Sequence, residues 1–186
     1  VAWDGTGFRA LGPGFGVADD EPVYALAEYD GKLVAAGAFD LIGRAGGVNS
    51  IAAWDGAQWT PLGSGLAEAF GNPSGGNLAL WDGKLVVSGY FSGAGGVTTQ
   101  HIAAWDGASW SGFDGGIDGQ GVELVDRGGE LIIGGLLGNA VGTAAPLGHV
   151  ARWTGTQWQA ITSISPSTGA SALRLSLWDG KLVCGG

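Results

Sequence analysis

The chain has 186 residues, 45% of them hydrophobic and 13% charged, with 39 glycines, 9 tryptophans and no methionine. That apolar content supports a packed core and argues against wholesale disorder, while glycine without an every-third-residue period points to many tight turns rather than collagen. Seventeen acidic against eight basic residues give a formal charge of −9, which repels phosphate backbones and anionic membranes and makes nucleic acid a poor partner. The lack of an initiator methionine, a signal peptide and a long apolar run reads as a mature or excised segment of a soluble protein, with no membrane insertion expected. Cys184 is the one cysteine, so no internal disulfide and no Cys/His zinc spacing is possible, and it is expected to serve as a small buried hydrophobe.

In chain order, residues 1–12 supply two short strands around a turn. Whole units follow at 23–63, 77–113 and 121–161, and residues 172–186 supply two more strands. Trp3, Trp54, Trp105 and Trp153 hold one repeated position, 51, 51 and 48 residues apart, each followed five residues later by Phe8, Trp59, Trp110 or Trp158. A second family, YDGKLVAAG at 29–37, WDGKLVVSG at 81–89, VDRGGELIIGG at 125–135 and WDGKLVCGG at 178–186, alternates with the first. In the best-preserved unit the expected strands are 23–29, 32–39, 48–54 and 58–63, short segments rich in Val, Leu, Ile and aromatics and bounded by Gly, Asp, Asn and Pro. Asp30-Gly31 and Asp55-Gly56 are both expected to form two-residue turns, in which Asp tolerates and Gly readily adopts positive φ. The fold class is therefore all-β, a β-propeller of four-stranded antiparallel blades, since a repeat of about 50 residues built as a meander has the size of one blade. The chain holds about four blade equivalents. The complementary halves at its ends allow a ring with one composite blade, or a segment of a larger ring.

These residues resemble the kelch repeat: a hydrophobic second strand ending at glycines (GKLV…G), an aromatic and acidic third strand (IAAWDG), and a fourth strand opened by tryptophan (WTPLG). The stretches FDLIGRAGGVNSIAAWDGAQWTPLGSGL and FSGAGGVTTQHIAAWDGASW are similar to repeats of large secreted or surface bacterial proteins of the kelch and galactose-oxidase-like class, and to blades of the fungal cortical cell-polarity marker. The resemblance implies a propeller and a secreted or cell-surface location. It leaves function open, because such propellers include oxidases, lectins and interaction hubs.

The recurring tryptophans read as packing residues between sheets rather than sugar platforms, and the aspartates of the DG turns as groups bonded to their own backbone. Candidate ligand-binding residues are sought where the copies differ, in the second-to-third and fourth-to-first connections, which share one end of a meander. These are Asp19, Asp20 and Glu21 in 12–22, Phe70 and Asn72 in 63–76, Asp114 and Asp118 in 114–121, and His101 and His149, which match Ser50 just before the third strand. Neither acidic stretch has calcium-loop spacing, and two isolated histidines make no metal site. No nucleophile elbow, phosphate loop or metalloprotease motif occurs, and the copper site of the oxidases is not carried over, so no catalytic residue, metal or cofactor is assigned. The expected function is a non-catalytic interaction or adhesion module that binds a protein or glycan on the variable-loop face. The alternatives are a glycan-active enzyme with its site in those loops, or an architectural repeat that forms homo-oligomers or continues in further blades.

Overall fold

The computed structural model describes residues 1–15, 22–42, 45–47, 49–67, 74–143, 146–161 and 174–185. All its regular elements are strands, and among the described residues no helix is long and apolar enough to cross a membrane. β1 (Ala2–Trp3) and β2 (Phe8–Arg9) form a hairpin. The first four-stranded sheet has the order β3 (Val23–Tyr29), β4 (Lys32–Gly37), β7 (Ile51–Trp54) and β8 (Trp59–Pro61), with the small hairpin β5 (Leu41–Ile42) and β6 (Ala45–Gly46) between its second and third strands. β9 (Leu66–Ala67) leads out of it. The second sheet repeats the order with β10 (Ser74–Trp81), β11 (Lys84–Tyr90), β14 (Ile102–Trp105) and β15 (Trp110–Gly112), carrying β12 (Gly93–Ala94) and β13 (Val97–Thr98) as its insert. The third comprises β16 (Gln120–Arg127), β17 (Glu130–Leu136), β18 (Val150–Trp153) and β19 (Trp158–Ala160), and a hairpin of β20 (Arg174–Trp178) and β21 (Lys181–Gly185) follows. Every ladder in the three sheets is antiparallel.

Register carries the repeat into three dimensions. Trp54 lies opposite Trp59, Trp105 opposite Trp110 and Trp153 opposite Trp158, with ring centroids 5.5, 5.3 and 5.3 Å apart. Such tilted cross-strand aromatic pairs bring a positive ring edge toward a negative face. The first strand of each sheet carries a bulge at the same place, between Val23 and Ala25, Gly75 and Asn77, and Gly121 and Glu123. Hairpin register also corrects one alignment of the copies. Arg127, paired with Glu130, occupies the position of Tyr29 and Trp81, because the Gly128-Gly129 turn lies two residues further along than the sequence match suggested.

Third strands begin later than expected. Asn49 and Ser50 have φ of 40° and 68°, and His101 has 63°, so the backbone becomes extended only at Ile51 and Ile102. The two kinds of DG turn also differ. Asp30, Asp82 and Asp179 take positive φ (51°, 50°, 50°) in true two-residue turns. Asp55 instead starts a four-residue loop, its Oδ1 accepting bonds from the amides of Ala57 and Gln58 at 2.8 Å each, so the expected two-residue turn at Asp55-Gly56 is not formed. A composite sheet from the two terminal halves is not formed either: β1–β2 and β20–β21 are separate two-stranded sheets.

Successive sheets pack face to face in chain order. The second strands lie at the centre, with Val34–Ala36, Leu85–Ser88 and Leu131–Ile133 fully buried. One apolar cluster joins the first two sheets through Val34, Ile51, Leu85 and Val87. A second joins the next pair through Val86, Ile102, Leu131 and Ile133, and a smaller one seats Leu175 of β20 against Ile132 and Val150. Burying each large aliphatic side chain contributes roughly 1.5–3 kcal/mol. Small residues permit the approach: a Cβ on Gly75 would stand 2.7 Å from the Ala36 Cβ, and one on Gly134 2.7 Å from Leu175. Polar contacts follow the same step. Asn77, Glu123 and Arg174 sit at equivalent first-strand positions, with Asn77 donating to Glu123 at 3.4 Å and Arg174 to Glu123 at 2.9 Å.

The buried tryptophans of the fourth strands reach back one repeat. The Trp59 indole donates to the Leu11 carbonyl at 2.9 Å and Trp110 to the Leu62 carbonyl at 2.8 Å, whereas the buried Nε1 of Trp158 has no hydrogen-bond partner among the described residues. Replacing Trp110 with Phe should therefore destabilise the chain by about 1 kcal/mol more than replacing Trp158 with Phe, the difference being one net hydrogen bond. Urea denaturation of the two variants checks this, and equal losses would contradict it.

Candidate functional site

The meander topology gives the stack two ends. The turns at 30–31, 55–58, 82–83, 106–109 and 128–129 gather at one, the turn end, and the longer connections at the other, the loop end. Of the residues singled out in the sequence, Asp19, Asp20, Glu21, Phe70 and Asn72 lie outside the described residues. The other four belong to the loop end.

His101 and His149 do occupy equivalent places. Their carbonyls accept the amides of Gly89 and Gly135 at 3.0 and 2.9 Å, as the Ser50 carbonyl accepts Gly37 at 3.0 Å. They stand on separate sheets, and the described residues hold no group of three or more His, Cys, Asp or Glu able to hold a metal ion. The His101 ring stacks on Tyr90 with centroids 5.6 Å apart, and its Nδ1 is buried without a hydrogen-bond partner among the described residues. Asp114 is exposed in the turn after β15 with φ 51°. Asp118 is also exposed and lines a cleft of about 270 Å³ with Gln100, Asn139 and Thr143. The structure thus brings Asp118 to a cleft.

The backbone around that cleft is itself repeated. Leu66 N–H donates to Asn49 O (2.9 Å) and Gly95 N–H to Gly65 O (2.9 Å). One repeat later, Ile117 N–H donates to Gln100 O (3.1 Å) and Val141 N–H to Gly116 O (3.2 Å). β9 pairs with β12 through Leu66 and Ala94, and an isolated bridge joins Ile117 to Ala140 in the same way. The bonds to Gly65 and Gly116 stitch each fourth-to-first connection to the insert of the following sheet, and those to Asn49 and Gln100 tie it to the approach to its own sheet's third strand. On this shared backbone the side chains change. Where the earlier repeat has Ala67 opposite Gly93, the later one has Asp118, whose amide donates to Asn139 O at 2.7 Å, and Gln100 stands in place of Asn49.

At the turn end, two clefts open between neighbouring sheets, lined by equivalent residues. The first, about 210 Å³, has Tyr29, Asp30, Lys32, Thr60, Pro61 and Trp105 in its walls. The second, about 610 Å³, has Trp81, Asp82, Lys84, Ser111, Gly112 and Trp153 in the same places. Their rims are bridged across the sheets. Tyr29 Oη donates to Gly83 O at 3.3 Å, and Trp81 Nε1 to Gly129 O at 2.8 Å. Burial, then the negative charges of Asp30 and Asp106, push the Tyr29 phenol above its ordinary value.

The DG aspartates, alike in sequence motif, divide into two groups in the structure. Asp4, Asp55 and Asp106 are held by their own loops. The Asp106 Oδ1 accepts the amides of Ser109 and Ala108 at 2.7 and 2.9 Å, while Asp4 accepts bonds from Thr6, Gly7 and Arg9. Asp30 and Asp82 make no hydrogen bond or ion pair among the described residues. The signal available in the sequence was loop length: two residues between paired strands in YDGK and WDGK, four in WDGAQW and WDGASW. Cys184 packs against the Ile132, Val150 and Leu175 cluster, and burial raises its thiol pKa.

The amides bonded to Asp55 and Asp106 lower the pKa of both carboxyls from the ordinary 3.8. A depressed folded pKa contributes stability that is present above the unfolded value and lost as pH falls through the folded one. Thermal melts from pH 6 to pH 2 should thus show the wild type losing more stability below about pH 4 than a D55N/D106N double variant. Parallel profiles would contradict that assignment.

No family model matches the chain and no curated protein matches it, so a functional reading rests on the geometry described above.

Proposed function

We propose that this chain is a non-catalytic interaction module whose four-stranded sheets are blades of a kelch-like propeller, secreted or displayed at a cell surface, with a protein or glycan ligand held at the loop end. Face-to-face packing of successive meanders, with first strands meeting first strands, supports the blade reading. One observation carries the binding role. Backbone bonds at the loop end repeat from copy to copy, while small residues of one repeat (Ala67, Gly93) become polar ones in the next (Asp118, Asn139) beside Gln100. Nothing in the backbone pattern requires that change. An exposed carboxylate and amides on a fixed backbone form a preorganised hydrogen-bonding surface, which reduces the ordering cost of binding.

The test is capture. The wild-type chain, immobilised, is presented with a glycan array and with cell-surface extract, in parallel with a D118A/N139G variant that restores the residues of the previous repeat. Retention of a ligand by the wild type and a drop of about tenfold or more in the variant, with an unchanged melting temperature, is the expected result. Empty captures by the wild type in both formats would reduce the chain to an architectural repeat.

A further inference from the structure

The turn end holds a second site that differs from the loop end in kind. There the side chains change on a repeated backbone, whereas here the side chains themselves repeat. From the cleft between the second and third sheets we infer a binding site for a neutral saccharide, with Trp81 and Trp153 as its aromatic walls and Asp82, Lys84 and Ser111 as its polar contacts.

Size, chemistry and shape each favour this occupant. At about 610 Å³ the cleft falls within the range of small-molecule sites, roughly 300–1,000 Å³. Its equivalent between the first and second sheets has about 210 Å³, where Pro61 and Thr60 stand in place of Gly112 and Ser111. Gly129 and Gly155 line the larger cleft without side chains, and a Cβ at either would meet nothing within 4 Å. The walls are held in place. Trp81 is fixed by its bond to Gly129 O, and Trp153 by Phe113 and Trp158 at centroid distances of 5.2 and 5.3 Å.

The Asp82 and Lys84 side chains make no hydrogen bond or ion pair among the described residues, although the Lys84 charge lies near enough to Asp106 to help lower its pKa. The Asp106 carboxylate, in contrast, is engaged by its own loop. A carboxylate that accepts from hydroxyls and an ammonium that donates to them, set beside aromatic faces, match a pyranose, which has an apolar C–H face and hydroxyls around its rim. The net charge of −9 disfavours an acidic ligand. The next step along the stack lacks the same chemistry. Arg127 and Glu130 occupy the places of Trp81 and Lys84, and Glu130 is already paired with Arg127 at 3.6 Å and Arg152 at 3.0 Å.

Affinity electrophoresis of the intact chain through gels containing laminarin, dextran, galactomannan or arabinoxylan tests the site, with alginate as the anionic comparison. The variants are D82N/K84Q, which removes two charges at the rim while nearly keeping side-chain size, D30N/K32Q in the smaller cleft, and D118A/N139G at the loop end. Retardation by at least one neutral polysaccharide is expected. It should weaken about tenfold or more in D82N/K84Q, change less in D30N/K32Q and persist in D118A/N139G. Oligosaccharides of the retarding polymer should shift tryptophan fluorescence in the wild type and not in D82N/K84Q. Retardation by none of the neutral polymers, retardation by alginate alone, or equal retardation of wild type and D82N/K84Q would overturn the proposal. Loss of binding in D118A/N139G alone would transfer the saccharide to the loop end, so failure of this site and failure of the loop-end reading give different results.

Discussion

The second strand of each sheet is apolar on both faces, and this one constraint organises the molecule. Val34, Ala35 and Ala36 alternate between the two sides of the first sheet, yet all three are fully buried, as are their counterparts Leu85 to Val87 and Leu131 to Ile133. A lone meander leaves one face in water, so such a strand demands a neighbour on either side. Each sheet supplies one neighbour for the next, and the repeat is the shortest description of that demand. The glycines at Gly75 and Gly134 follow from it, because an added side chain would hold adjacent sheets apart. So do the reaching bonds of Trp59, Trp81 and Trp110, which satisfy buried or half-buried indoles on the neighbouring repeat.

Fixed packing gives the two ends different freedoms. At the loop end, main-chain bonds tie the connections of one sheet to the insert of the next, leaving side chains such as Asp118, Asn139 and His149 free to differ. At the turn end, two-residue turns fix the backbone locally and the first-strand aromatics bridge the sheets, leaving clefts whose lining recurs. Polar groups left unbonded at either end sit on a backbone that does not have to be reordered around a ligand.

The sequence carried the strand order and the alternation of the two motif families plainly, because aromatic pairs such as Trp54 and Trp59 are locked by a short loop and need only local information. It carried the limits of the strands less well. Positive φ at Ser50 and His101 depends on bonds to Phe39 and Phe91 and to Gly37 and Gly89, which are partners brought near by folding. The same applies to the site. Loop variability drew attention to Asp118, but the change from Ala67 and Gly93 to Asp118 and Asn139 becomes visible only once β9, β12 and their later counterparts are aligned in space. The turn-end cleft was hidden for the opposite reason. Its residues repeat and repetition reads as scaffold; loop length alone separates the DG aspartates in the sequence, and the hydrogen bonds show Asp106 engaged by its own loop where Asp82 is not.

Main-chain bonds make the loop end as firm as the sheets it joins. Native-state amide hydrogen exchange addresses that claim directly. The stitching amides of Ser92, Gly95, Asp118 and Val141 should exchange within about tenfold of the buried second-strand amides, since both would open only with separation of neighbouring sheets. Exchange of those four amides several orders of magnitude faster, at the rate of an open loop, would contradict it.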